Sequence, residues 1–109
     1  FGDDYKKNNK DEFEKRIAKS STFDPIGVKG SLLAMLSRND TTEYLSNIKI
    51  PALIICGEHD ALTPPAVMKT LAEIINGAEY VVIKNSGHMS PIENSEEVNK
   101  ALRDFFNKL

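Results

Sequence analysis

The chain has 109 residues, enough for one small domain and too few for two. With 40% hydrophobic and 28% charged residues it is neither a disordered nor a collagen-like sequence. Its 14 Lys+Arg against 16 Asp+Glu leave a net charge of -2, so no basic stripe invites nucleic acid and no acidic tail is present.

The first third reads as helical. Asp11 to Ser20 is charged, with Phe13 and Ile17 four apart as a thin apolar stripe on a surface helix. Pro25-Ile26-Gly27 breaks the pattern, and a second helix is expected over roughly residues 28 to 38, with Val28, Leu32, Met35 and Leu36 on one face. Asp40-Thr-Thr-Glu43 resembles a capping box opening a short turn that carries Tyr44 and Leu45. From residue 48 the texture changes. Ile48-Lys-Ile50-Pro51 leads into Ala52-Leu-Ile-Ile-Cys56, an apolar, β-branched run suited to a strand covered on both faces. Thr63-Pro64-Pro65 is expected to start a helix with Thr63 as N-cap, and Asn76-Gly77 to end it. Tyr80-Val-Val-Ile83 is a second strand, and Asn94 or Ser95 caps a last helix bearing Val98, Ala101, Leu102, Phe105 and Phe106 at helical spacing. A strand–helix–strand unit of this length makes two parallel strands with a right-handed crossover. The class is α/β.

The lone cysteine, Cys56, rules out an internal disulfide and fits the reducing cytoplasm, where we place the protein. Apolar runs such as Ala52 to Cys56 are far too short to span a bilayer, so no membrane association is expected. Phe1-Gly2-Asp3-Asp4 has neither the basic start nor the apolar core of a signal peptide, and no initiator Met stands at position 1; the chain reads as a truncation or a cleavage product.

In open parallel sheets, ligands sit outside the carboxyl ends of the strands. After the first strand comes Gly57-Glu58-His59-Asp60, and after the second Asn85-Ser86-Gly87-His88. Both loops leave the same rim, so Asp60 and His88 are expected within hydrogen-bond reach although 28 positions apart. A carboxylate facing an imidazole fixes its tautomer and stabilises its charged form. Each candidate has a plain alternative: Asp60 as a turn-shaping residue, His88 as a hydrogen-bonded loop histidine. Glu58, His59, Asp60 and His88 are all possible metal ligands. Neither His-Glu-x-x-His nor Cys-x-x-Cys is present, however, and consecutive strand-end residues point apart, so no metal is expected. His59 reads as a surface residue, Glu58 as pointing away from the site, and Cys56 as a small buried hydrophobe. Met68 and Met89 read as packing residues, with Met89 beside His88 also placed to line a substrate pocket.

The stretch from Ile50-Pro51 through Gly57-Glu58-His59-Asp60 to Pro64-Pro65 resembles the penultimate strand and acid loop of α/β-hydrolases, where Gly-x-x-Asp carries the acid of a catalytic triad. Ser86-Gly87-His88-Met89-Ser-Pro91-Ile-Glu93, followed by a helix ending in Phe105-Phe106, resembles that family's histidine loop and final helix. The resemblance covers residues 48–109 closely. Residues 1–47 resemble, more loosely, the cap helices that roof the family's active site, and the Met35, Arg38 and Asp40 run is similar to esterase- and lactonase-like members. The resemblance implies a C-terminal part of an α/β-hydrolase fold, with a cap-derived segment at 1–47 and a strand–helix–strand–helix segment at 48–109. It also implies a serine hydrolase acting on a small acyl substrate (carboxylic ester, thioester or lactone) without cofactor or metal, with Asp60 and His88 as triad acid and base.

One departure qualifies it. No Gly-x-Ser-x-Gly nucleophile elbow occurs, and the family's order of Ser, then Asp, then His places the nucleophile upstream of residue 1. The chain alone is therefore expected to be inactive. It is also expected to act as an assembly piece, docking onto a missing N-terminal half or self-associating into oligomers through the open edge of the 52–56 strand. Non-hydrolytic chemistries hosted by the same fold (lyase, haloperoxidase, dehalogenase) remain open.

Overall fold

The computed structural model describes all 109 residues. Three helices, α1 (Asp3–Asn8), α2 (Lys10–Ser20) and α3 (Pro25–Leu36), and a 3-10 helix (Thr42–Asn47) precede β1 (Leu53–Gly57). α4 (Pro65–Ile74), β2 (Glu79–Ile83), α5 (Ser90–Glu93) and α6 (Ser95–Phe106) follow. The two strands pair in parallel, Leu53 opposite Glu79 through Gly57 opposite Ile83. α4 is the crossover.

The sheet is covered from both sides, as its apolar strands require. Tyr80 faces α4, its hydroxyl donating to the Pro65 carbonyl at 2.8 Å. Val81 and Ile83 point the other way and line a groove with Ala101 of α6. The apolar core is small: Cys56, Ala72, Ile75, Ile83 and Val98. A fully buried aliphatic side chain such as Ile83 contributes roughly 1.5–3 kcal/mol relative to exposure.

Several local expectations shift. Pro25 does not break a helix but opens α3 at its first position, where its missing N–H costs nothing, and Asp24 caps it by accepting from Ile26 N and Gly27 N. Asp40 does not enter a reciprocal box with Glu43; its carboxylate takes the backbone N–H of Thr42 at 2.8 Å and the Thr42 hydroxyl at 2.6 Å. Thr63 does not cap α4: Pro64 occupies the N-cap, and the Thr63 hydroxyl is engaged elsewhere. At the far end of α4, Gly77 adopts φ +78, the left-handed turn that returns the chain to β2. Asn94 does cap α6, accepting from Glu97 N.

The face expected on the second helix is present but bare. Val28, Leu32, Met35 and Leu36 are exposed at 42, 55, 56 and 82%, and Ile26 and Leu33 on other faces of α3 are exposed as well. No residue of α2 or α3 is buried.

Candidate active site

The carboxyl ends of β1 and β2 are laced together beyond the strands themselves. Glu58 N donates to Ile83 O and His59 N to Ser86 O, both at 2.8 Å, so the parallel ladder continues into the two loops. This approach explains Gly57. A Cβ there would collide with the Gly87 carbonyl oxygen and stand 2.7 Å from that of Ser86. Asn85 sits at φ +51, a left-handed conformation that asparagine tolerates better than most residues, and its N–H donates to Glu58 Oε2 at 3.0 Å. Glu58 thus turns away from Asp60, as expected, and braces the opposite loop. α6 and its cap residue add two more ties: Lys84 N donates to Glu97 Oε2, and Asn94 Nδ2 donates to Lys84 O.

Within this frame Asp60 and His88 meet. Oδ2 of Asp60 lies 2.9 Å from Nδ1 of His88. Asp60 is only 6% exposed, and every lone-pair direction is used. Oδ1 accepts from Leu62 N (2.9 Å) and Thr63 N (3.0 Å), and Oδ2 accepts from the Thr63 hydroxyl (2.7 Å) as well as the imidazole. Burial alone would push this carboxyl up. The Thr63 N–H and hydroxyl, His88 and the Leu62 N–H together outweigh it and bring Asp60 down to about 2. An ionised carboxylate only accepts, so Nδ1 carries the proton in this pair and Nε2 is left as the basic nitrogen of the neutral ring. The His88 side chain is 45% exposed, so the ring is open to solvent although its partner is not.

The remaining candidates fall out as follows. His59 is half exposed and stands 3.7 Å from Glu58 Oε2. Glu58, His59, Asp60 and His88 therefore form two separate pairs rather than one cluster. Cys56 is buried behind the site with Sγ 3.3 Å from the Thr63 carbonyl; burial, then the charge of Asp60, pushes its thiol up. Met89 is 37% exposed next to His88. Ser86 is fully buried, its hydroxyl donating to Ile83 O, and so faces the strand end rather than the imidazole.

Two participants were given no part in the site by the sequence. Thr63 was read as a cap, yet it supplies two of the bonds that hold Asp60 and lies 3.4 Å from His88 Nδ1. Glu93, read only as part of a motif, has a fully buried side chain whose Oε2 accepts from Gly87 N and Gly2 N while Oε1 accepts from Met89 N. The signal for Thr63 was present as Asp-x-x-Thr, the spacing at which a turn folds a hydroxyl back onto a carboxylate.

The sequence pattern of the alpha/beta hydrolase fold fits residues 7–95. The chain belongs to the alpha/beta hydrolase fold family. It corresponds to a C-terminal portion of that fold.

Among curated family members, a proline iminopeptidase of Lactobacillus crispatus is 39% identical over 67 residues, covering 62% of this chain and 22% of that protein. A thermophilic esterase from Thermogutta terrifontis superposes with a TM-score of 0.68 at 37% identity, covering 70% of this chain and 28% of that one. An enol-lactonase from Burkholderia xenovorans LB400 does so with a TM-score of 0.59 at 38% identity, covering 62% of this chain and 26% of that one. The chain therefore spans about a quarter of the length of these relatives. Bromoperoxidases also occur among the similar proteins. No helix is long and apolar enough to cross a membrane.

Proposed function

We propose that this chain is a C-terminal fragment of a serine hydrolase that acts on carboxylic esters, thioesters or lactones, contributing the triad acid and base, with the nucleophile supplied by a part of the parent protein outside these 109 residues. The observation that supports it most is the 2.9 Å contact between a buried, fourfold-bonded carboxylate and a solvent-accessible imidazole.

In this reading the serine hydroxyl attacks the carbonyl carbon while His88 Nε2 takes its proton. The resulting imidazolium lies against Asp60, which holds Nδ1–H and stabilises the charge. His88 then returns the proton to the leaving group, and water, deprotonated by His88, releases the acid. Asp60 stays ionised throughout, consistent with a carboxyl held far below the working pH. Met89 borders the acyl pocket, and residues 1–47 form the cap-derived segment over it. A cytoplasmic setting suits the unpaired Cys56.

In the full-length parent, Asp60→Asn or His88→Ala is expected to lower kcat by about 10³ to 10⁴ or more. Ester turnover within tenfold of the parent for both variants would reject the roles. The chain alone is expected to show near-zero turnover of a p-nitrophenyl ester, since it brings no serine nucleophile against His88 to form the acyl-enzyme. It is also expected to self-associate, or to dock on the missing half, through the free edge of β1, which pairs only with β2 on its other side. Light scattering that finds only monomer across a wide concentration range would count against that assembly.

Bromoperoxidases among the similar proteins keep a second chemistry in view. The parent's nucleophile and its assay on ester against halide substrates separate the two.

A further inference from the structure

We infer that Glu93 is a positioning residue for His88: its carboxylate holds the main-chain N–H groups of the residues before and after the imidazole and so sets where the ring stands. The inference rests on the reading of His88 as the base. It starts from an uncommon placement, a carboxylate side chain with no exposed surface at all. A buried carboxylate is costly unless its lone pairs are met. Here they are met almost entirely by main-chain N–H groups: Gly87 N at 2.9 Å and Gly2 N at 2.7 Å on Oε2, and Met89 N at 3.1 Å on Oε1.

The two loop donors flank His88, one residue before and one after. These donors belong to the Ser86–Gly87 and His88–Met89 peptides, so the short stretch of backbone that carries His88 is held at both ends, whereas Asp60 contacts only Nδ1 of the ring. Two hydrogen bonds to one rigid planar group define an orientation, where a single bond defines only a distance. The third donor ties the same carboxylate to the start of the chain. Gly2 is buried there, and a Cβ on Gly87 would stand 2.6 Å from Gly2 N, so the two backbones are in direct contact. Pro91, at the first turn of α5, keeps that helix in step so that Glu93 reaches back across one turn.

The test uses the 109-residue chain, labelled with nitrogen-15. In the unsubstituted chain, His88 is expected to show a single Nδ1–H tautomer. In Glu93→Gln, where one acceptor oxygen becomes a donor, the Gly87 and Met89 amides are expected to exchange at least tenfold faster. The His88 ring should drift to a mixture of tautomers, while amides of β1 and β2 keep their protection.

A Gln variant whose His88 keeps its single tautomer would overturn the inference. So would loss of protection throughout the sheet, which would make Glu93 a support of the fold and not of the loop. A mixed tautomer already in the unsubstituted chain would strike the Asp60–His88 reading itself, and Glu93 with it.

Discussion

The two halves of the chain use apolar residues in opposite ways. In residues 48–109 they converge: Cys56, Ala72, Ile75, Ile83 and Val98 are all below 8% exposure and surround one small sheet. In residues 1–47 they are as plentiful locally, Pro25–Leu36 being apolar on nearly every face, yet only Gly2 is buried, and it is buried against the other half. A helix apolar all round belongs in an interior. The contrast teaches that periodicity reports what a segment can bury and says nothing about whether its partner is in the same 109 residues.

The sharpest way to break this contrast is to truncate Ile83, which is 1% exposed; Ile83→Ala is expected to cost about 2–5 kcal/mol in urea unfolding. Gly57→Ala comes next. Its methyl group meets two backbone carbonyls rather than a yielding side chain, so about 1–3 kcal/mol is expected, with loss of the paired His88 signature as the loops part. The pH dependence is smaller. Asp60 falls from 3.8 to about 2 on folding, so its contribution is complete above about pH 4 and disappears as pH drops toward 2. Asp60→Asn is expected to remove that part of the acid loss, flattening the urea midpoint between pH 4 and 2. At the bottom stands Ile26→Ser: Ile26 is 80% exposed, and a change under about 0.5 kcal/mol is expected. A large loss there would show that α3 is packed in solution and erase the distinction between the halves.

Much of the second half was legible because its signals are local. The strand runs, the α6 stripe and its Asn94 cap, and two glycine-led loops on one rim all follow from residues close in sequence, and together they brought Asp60 and His88 into register. What escaped depends on competition or on distance. Thr63 has the chemistry of a cap, but Asp60 three residues earlier outbids the helix for its hydroxyl. Pro25 was read as a breaker because its neighbours are Ile and Gly; the aspartate before it makes it a starter. The hold of Glu93 on Gly2 spans 91 positions, beyond what any spacing rule reaches.

The main-chain lacing between the loops also bears on how such a site tolerates change in length. Because Glu58 and His59 are pinned to Ile83 and Ser86 by backbone bonds, the meeting of acid and base is set by strand register and not by the 28 positions between them. Residues added or lost around Asn76-Gly77, at the tip opposite the site, change the contour of the crossover without moving either partner. Loop grafts and circular permutations in this protein therefore belong at that end.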